Sequence, residues 1–402
     1  MTMKVEVRPG NETPPPARLR IGCPVCRGQN LVHSVSFEAL PVSCNSLHPD
    51  ARSAAAAKTG RFTLIFCRDC DHFFNAAFED DRIGYTPGYE NSLHFSPRFV
   101  TFVDDLAHRL TTTYALDGKL AVDVGCGKGD FLKRLCSISG ARGIGFDRSF
   151  EDNRGEEIAG VEFVNDWFGD AYPDVAPDFV SCRHVLEHIA DPIAFLKGLR
   201  AHPGVRPETV FYIEVPNALY TLRDMGIWDL IYEHVSYFTP RSLRMAMEAA
   251  GFEILDEDAS YGDQYLFVEA RPAQDRTAAS HEESSEVDAL VSGFDQIYSD
   301  KVAWWRDYLA RRDPEQTVVW GAGSKGITFV NVVPEGARIS ALVDVNPHKQ
   351  GRFAPGAATP VIAPERLRGK PLQLIIVMNP LYREEVARAA RELGLAPEIV
   401  VA

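Results

Sequence analysis

No apolar run in this chain approaches the roughly 20 residues needed to cross a bilayer. The longest candidate, Leu372 to Met378, has the length of a buried strand. An excess of positive charge is also missing: 42 Lys and Arg stand against 56 Asp and Glu, a net charge of −14. Long-range attraction to phosphate backbones or anionic lipid is therefore disfavoured, and neither a nucleic-acid partner nor a membrane is expected. The first residues (MTMKVEVRPGNETPPPARLR) lack the apolar core of a secretory signal. A cytoplasmic location follows as an expectation, and there thiols stay reduced. The eight cysteines are accordingly read as thiols or metal ligands.

What is present is globular. The 402 residues exceed one ordinary domain, and 45% hydrophobic with 24% charged residues suits several packed cores. Five of the eight cysteines fall in the first 80 or so residues, around a small-residue stretch (ARSAAAAKTG) that reads as a loop between short strands. A helical pattern from Ser96 to Leu116 leads into the strand Leu120 to Val124 and a glycine-rich turn. Strand and helix signals then alternate to about Ala270, which argues for an open, mostly parallel α/β sheet. The polar stretch Pro272 to Val287 reads as a linker or the exposed start of a helix. A helix around Phe294 to Arg312 and a second glycine turn (WGAGSKG) open another α/β unit.

Cys23 and Cys26 form one C-x-x-C knuckle, and Cys67 and Cys70 form a second. Two such turns can close a tetrahedron of thiolates about 2.3 Å from a zinc ion, with no open position for water. The zinc is therefore read as structural. Cys44 or His33 could replace one ligand, and unligated thiols or a redox pair are the competing readings.

The central turn places Asp123 at a strand end, followed by Gly125, Gly127 and Gly129 before a helix. This D-x-G-x-G-x-G form differs from the dinucleotide fingerprint G-x-G-x-x-G and is the one methyltransferases use. Asp147 ends the next strand, placed to bond the hydroxyls of a ribose. Asp166 could accept from an adenine amino group, with Trp167 beside the ring. S-adenosylmethionine is the expected cofactor, ahead of a nicotinamide or a purely structural turn. Its cationic sulfur suits an acidic, aromatic surround.

After the fourth strand, His184, Glu187 and His188 satisfy H-x-x-E-H, a zinc-peptidase pattern. The strand running straight into it favours a fortuitous match, with His188 facing substrate and His184 among the cofactor-lining residues. Further on, IYEHVSYFTP clusters Tyr232, Glu233, His234 and Tyr237 before a helix start at Thr239 and Pro240. Packing is the bland reading of each histidine. Two such clusters at neighbouring strand ends point instead to His234 as a base.

The ordered set of C-x-x-C pairs, YENSLHFSPRF, VDVGCGKGDF, HVLEH, IYEHVSYFT, GAGSKG and VDVNPHKQGRFAPG resembles the three-domain sugar C-methyltransferase family. The resemblance implies a zinc-binding domain over 1–84, a Rossmann-like class I methyltransferase domain over 85–272 and a C-terminal Rossmann-like domain over 273–402. It implies methylation of a carbon beside the ketone of a nucleotide-linked deoxysugar. Tyr89 and Ser92 would approach the cofactor, His234 would abstract the proton, and Glu233 and His188 would support it. The family's Tyr-x-Glu-His is altered here, Ile231 standing three before His234. Either Tyr232 or Tyr237 takes the tyrosine's place, or the acceptor differs; an O- or N-methyltransferase of another small metabolite is the alternative. In the last unit, Asp344 follows the glycine turn, and Lys349, Gln350 and Arg352 add charge suited to a diphosphate. A Rossmann scaffold that helps to recognise the acceptor is preferred there to a second redox site.

Overall fold

The computed structural model describes residues 19–84, 88–151, 158–274, 285–333 and 338–402. The N-terminal residues read for a secretory signal lie mostly outside this set, as does much of the expected linker. The expected boundary between residues 84 and 85 abuts another such gap.

The first unit holds β1 (Leu31–Pro41), α1 (Ala51–Ala55), β2 (Thr59–Cys67) and β3 (His72–Asn75). The alanine stretch expected as a loop is partly helical. Asp50 caps α1 by accepting from the Ser53 N–H at 2.8 Å, and alanine is the best helix former. The strands on either side are long, 11 and 9 residues.

The second unit runs α2 (Pro97–Tyr114), β4 (Leu120–Val124), α3 (Asp130–Ser139), β5 (Arg142–Phe146), β6 (Val161–Val164), β7 (Phe179–Arg183), α4 (Pro192–Ala201), β8 (Val210–Pro216) and α5 (Ala218–Arg223). It continues with β9 (Ser236–Tyr237), α6 (Pro240–Ala249), β10 (Phe252–Ser260) and β11 (Tyr265–Pro272). Ser96 caps α2 and Pro97 takes its first turn, while Thr239 and Ser242 close a reciprocal capping box on α6. The seven-stranded sheet has the order β10-β11-β8-β7-β4-β5-β6. It is parallel from β8 to β6, with β10 and β11 antiparallel at one edge.

The third unit contains α7 (Ser285–Val291), α8 (Phe294–Leu309), β12 (Thr317–Trp320), α9 (Ser324–Val332), β13 (Ala341–Val343), β14 (Val361–Ile362), β15 (Leu374–Val377), α10 (Arg383–Glu392) and β16 (Glu398–Val401). Its five-stranded sheet is parallel throughout, in the order β14-β13-β12-β15-β16.

The cores cross the expected boundaries. Strand β9, from the second unit, pairs with β3 and completes the sheet β1-β2-β3-β9 of the first. Phe37 and Phe62 of the first unit share one apolar cluster with Trp228 of the second and Tyr298, Trp305 and Phe329 of the third. The three sheets are consequently fixed around one cleft. Among the described residues no helix is long and apolar enough to cross a membrane.

Candidate active site

A cleft of about 350 Å³ opens where the carboxyl ends of β4 and β7 face the turn after β12. This is the rim at which open α/β sheets bind ligands. All three units line it: Asn45 from the first, the glycine turn and His234 from the second, Lys325 and Asn346 from the third.

Asp123, Gly125 and Gly127 lie on its wall. Gly125 has φ +72°, and a Cβ there would sit 2.3 Å from Val185 Cγ2, so only glycine lets the chain pass. Gly127 has φ +56°, and its N–H donates to Asp147 Oδ2 at 2.8 Å. Gly129 stands behind the turn as the cap of α3. Burial raises the Asp123 carboxyl to about 6, against the hydrogen bond it accepts from Ser181 Oγ at 2.6 Å. Asp147 lies beside the turn, its other oxygen accepting from the N–H and hydroxyl of Ser149. Asp166, which follows β6 outside the cleft's lining, is held by the Trp167 N–H and the Tyr172 hydroxyl, and Trp167 is exposed. A donor with an adenosine group and a cationic sulfur fits this surround of carboxylates, the narrow glycine turn and the aromatic walls Phe99, Phe131 and Tyr265.

Opposite lies the histidine cluster. His188 and His234 meet edge to face, with centroids 4.9 Å apart. His234 is 8% exposed, and its Nδ1 has no hydrogen-bond partner. Burial, with the charges of His188 and His184, holds its pKa well below the ordinary 6.5. His184, at the end of β7 with φ +54°, faces Glu187 Oε1 at 3.5 Å and Glu214 Oε1 at 3.2 Å. Burial opposes its charge, but the two carboxylates outweigh that and raise it to about 9. A strand end and a single 3-10 turn carry His184, Glu187 and His188, so the helix that a zinc peptidase needs is not formed.

Glu233 is fully buried, and its carboxylate reaches the first unit. Its Oε1 accepts from the Cys44 N–H at 2.5 Å, and its Oε2 accepts from the Tyr89 hydroxyl at 2.8 Å. Burial raises its pKa against these two donors and His188. The backbone carbonyl of Glu233 accepts from His188 Nδ1 at 3.1 Å. Ser92 also lies at the cleft, its hydroxyl donating to Asp130 at 2.7 Å.

Of the expected cofactor residues, Gly129, Asp147, Asp166 and Trp167 lie outside the lining, as does Glu233, and two expected catalytic residues, Tyr232 and Tyr237, are turned away from it. The Tyr232 ring packs on Gly60 and Phe78, and its hydroxyl accepts from the Glu79 N–H. The Tyr237 hydroxyl is spent on the backbone of Ile231 at 3.1 Å. Ile231 itself faces the cleft, so the one-residue shift of the tyrosine turns its ring away. A proton-transfer role for either tyrosine thus has no geometric support.

The cleft also holds residues that no motif announced, Gln264, Tyr265 and Asn379, and it holds Asn346, two after Asp344 in the last motif. Gln264 and Asn379 exchange amide hydrogen bonds, and Asn346 Nδ2 donates to Glu90 at 2.9 Å. Lys325, from the glycine turn, donates to Gln264 and pairs with Asp229 at 3.1 Å. Of Lys349, Gln350 and Arg352, Lys349 alone lines the cleft, and it donates to the Ala322 carbonyl. Gln350 bonds the Asp344 carbonyl, and Arg352 is exposed away from the lining.

Away from the cleft, Cys23 and Cys70 sulfurs lie 3.5 Å apart, as do those of Cys26 and Cys67. All four converge within 4.8 Å, an arrangement able to hold a tetrahedral metal ion. Hydrogen bonds from Cys23 and Cys67 pull the Cys26 thiol toward the thiolate. Neither Cys44, whose backbone serves Glu233, nor His33, bonded to Ser36, joins that group.

Residues 96–257 match a methyltransferase domain, and residues 274–396 match the C-methyltransferase C-terminal domain. The chain is 25% identical over 397 residues to the C-methyltransferase NovU of Streptomyces niveus, covering 92% of each. It is 28% identical over 160 residues to the ubiquinone biosynthesis O-methyltransferase of Aeromonas salmonicida, covering 35% of this chain and 66% of that one. Among solved structures, it is similar to the 1,6-didemethyltoxoflavin-N1-methyltransferase of Burkholderia thailandensis with bound S-adenosylhomocysteine. That likeness has a TM-score of 0.34 at 18% identity, over 44% of this chain and 82% of the other.

Proposed function

Since the chain belongs to the three-domain sugar C-methyltransferase family and is an S-adenosylmethionine-dependent enzyme, we propose that it methylates the carbon beside the ketone of a nucleotide-linked deoxysugar, with His234 as the base. The observation that carries this reading is a buried, uncharged imidazole with an unpartnered nitrogen in the same cleft as the glycine turn.

S-adenosylmethionine supplies an electrophilic methyl group on a cationic sulfur. Asp147, held in place by the Gly127 N–H, would bond its ribose end, and Asp166 with Trp167 would serve the adenine. Tyr89 and Ser92 line the mouth. His234 removes the proton alpha to the ketone, and its environment keeps the accepting nitrogen unprotonated at neutral pH. Glu233 acts through the backbone: pinned by Cys44 and Tyr89, it fixes the loop that presents His234. His188, tied to the Glu233 carbonyl, stands against the His234 ring. The buried walls exclude water from the carbanion. Lys325 and Lys349 give the third unit a cationic edge for the nucleotide-linked part. Zinc at the four cysteines holds the first unit together.

The test uses labelled methyl donor with nucleotide-linked keto-deoxysugars, followed by NMR location of the label. A new carbon–carbon bond beside the ketone is expected. His234→Gln should lower turnover by about 10²–10⁴-fold while calorimetry shows normal donor binding. Label on oxygen or nitrogen would favour the alternative acceptor class, to which the retreat of Tyr232 from the cleft lends its one argument.

A further inference from the structure

Three donor groups in the cleft converge in a way that proton transfer alone does not require. Glu187, His188 and His234 each offer one ligand atom, and these atoms lie within 4.8 Å of one another. Glu187 is 1% exposed and His234 8% exposed; Glu187 Oε2 and His234 Nδ1 are both buried without a hydrogen-bond partner. A buried carboxylate oxygen and a buried imidazole nitrogen with nothing to bond are costly unless something else completes them.

The third ligand is prepared by its second contact. A carbonyl can only accept, so the His188 Nδ1 that meets the Glu233 carbonyl at 3.1 Å carries the proton. The lone pair is then on Nε2. A histidine that donates through one ring nitrogen to a backbone carbonyl is the usual form of a metal ligand through the other. His184 takes no part, since both of its ring nitrogens face carboxylates.

We propose that Glu187, His188 and His234 form a second metal site, for a borderline divalent cation such as Zn²⁺, and that its occupation withholds His234 from proton transfer. Two imidazoles and one carboxylate suit zinc, cobalt or nickel and are poor ligands for magnesium. Bonds of about 2.0–2.2 Å require the three groups to close inward by about an ångström, with the fourth position facing the cleft. The inhibitory half of the proposal rests on His234 being the base; the metal site itself does not.

The experiment titrates the full chain, its cysteine site loaded, with Co²⁺ and follows visible absorption. One equivalent giving ligand-field bands without thiolate charge-transfer bands is expected. Glu187→Gln and His188→Asn, each verified as folded by thermal melting, should weaken that binding by about 10–100-fold. Absence of the bands, or unchanged binding in both variants, overturns the site. Zn²⁺ at saturating concentration should abolish turnover, and a mild chelator should restore it. Full turnover with the optical site filled overturns the inhibition. Metal-free His234→Gln is assayed in parallel: if it retains turnover, the assignment of the base fails while the Co²⁺ titration still decides the site.

Discussion

The hydroxyl of Tyr89 donates to Glu233 Oε2 at 2.8 Å across 144 residues of sequence. The same carboxylate receives the Cys44 N–H from the first unit. The residue next to His234 is thus held by groups that lie outside the sheet on which the cofactor would bind.

Tyr89→Phe should therefore lower kcat by about tenfold, the effect of losing one hydrogen bond to a charged group. Steady-state kinetics beside a calorimetric titration of the donor check this, with kcat falling and donor affinity changing much less.

Tyr232→Phe should behave differently. Its hydroxyl only accepts from the Glu79 N–H, outside the cleft. A stability loss of about 1 kcal/mol, read by denaturant unfolding, with kcat unchanged is expected.

Gly125→Ala should cost more than Gly127→Ala. Both place a side chain at positive φ, about 1–2 kcal/mol, but only at Gly125 does the new Cβ collide, 2.3 Å from Val185. At Gly127 the nearest atom is 3.6 Å away. Thermal melts of the two variants should rank accordingly, and donor binding should weaken in both.

Stripping metal from the four cysteines should abolish turnover together with the order of the first unit. The Cys44 N–H that holds Glu233 belongs to that unit, and β9 is one of its strands. Metal analysis should give one tightly held zinc per chain, lost in Cys67→Ser.

The buried cluster around Glu214 sets a pH window for stability. Burial opposes its charge, yet Arg183, His184 and the Tyr212 hydroxyl hold Glu214 at about 2, below the ordinary 4.5. Its contribution is therefore complete above about 4.5 and is lost as pH falls toward 2. His184 is raised from 6.5 to about 9, so its contribution is complete below 6.5 and is lost as pH rises through 9. Melting temperature against pH should show both limbs, and Glu214→Gln should flatten both.

Much of this was legible in the residues. Asp123, Gly125 and Gly127 announce a strand, a tight turn and a helix, because only that order uses glycine's left-handed backbone beside a buried acid. The paired cysteines announce their own convergence through spacing. Tyr232 and Tyr237 were misplaced because chain adjacency says nothing about which way a side chain turns; Gly60 leaves the space that Tyr232 fills. Gln264 and Asn379 were missed because single amides from separate loops carry no spacing signal. Their meeting depends on how the second and third units face each other.

Strand β9 gives the order of synthesis a meaning. The opening module exposes a bare strand edge on β3 until some 160 further residues have followed it, as the register Phe73 with Tyr237 and Phe74 with Ser236 shows. On the ribosome, that edge must wait for the middle of the polypeptide, so the cysteine-bearing head and the loop that carries His234 mature in one step.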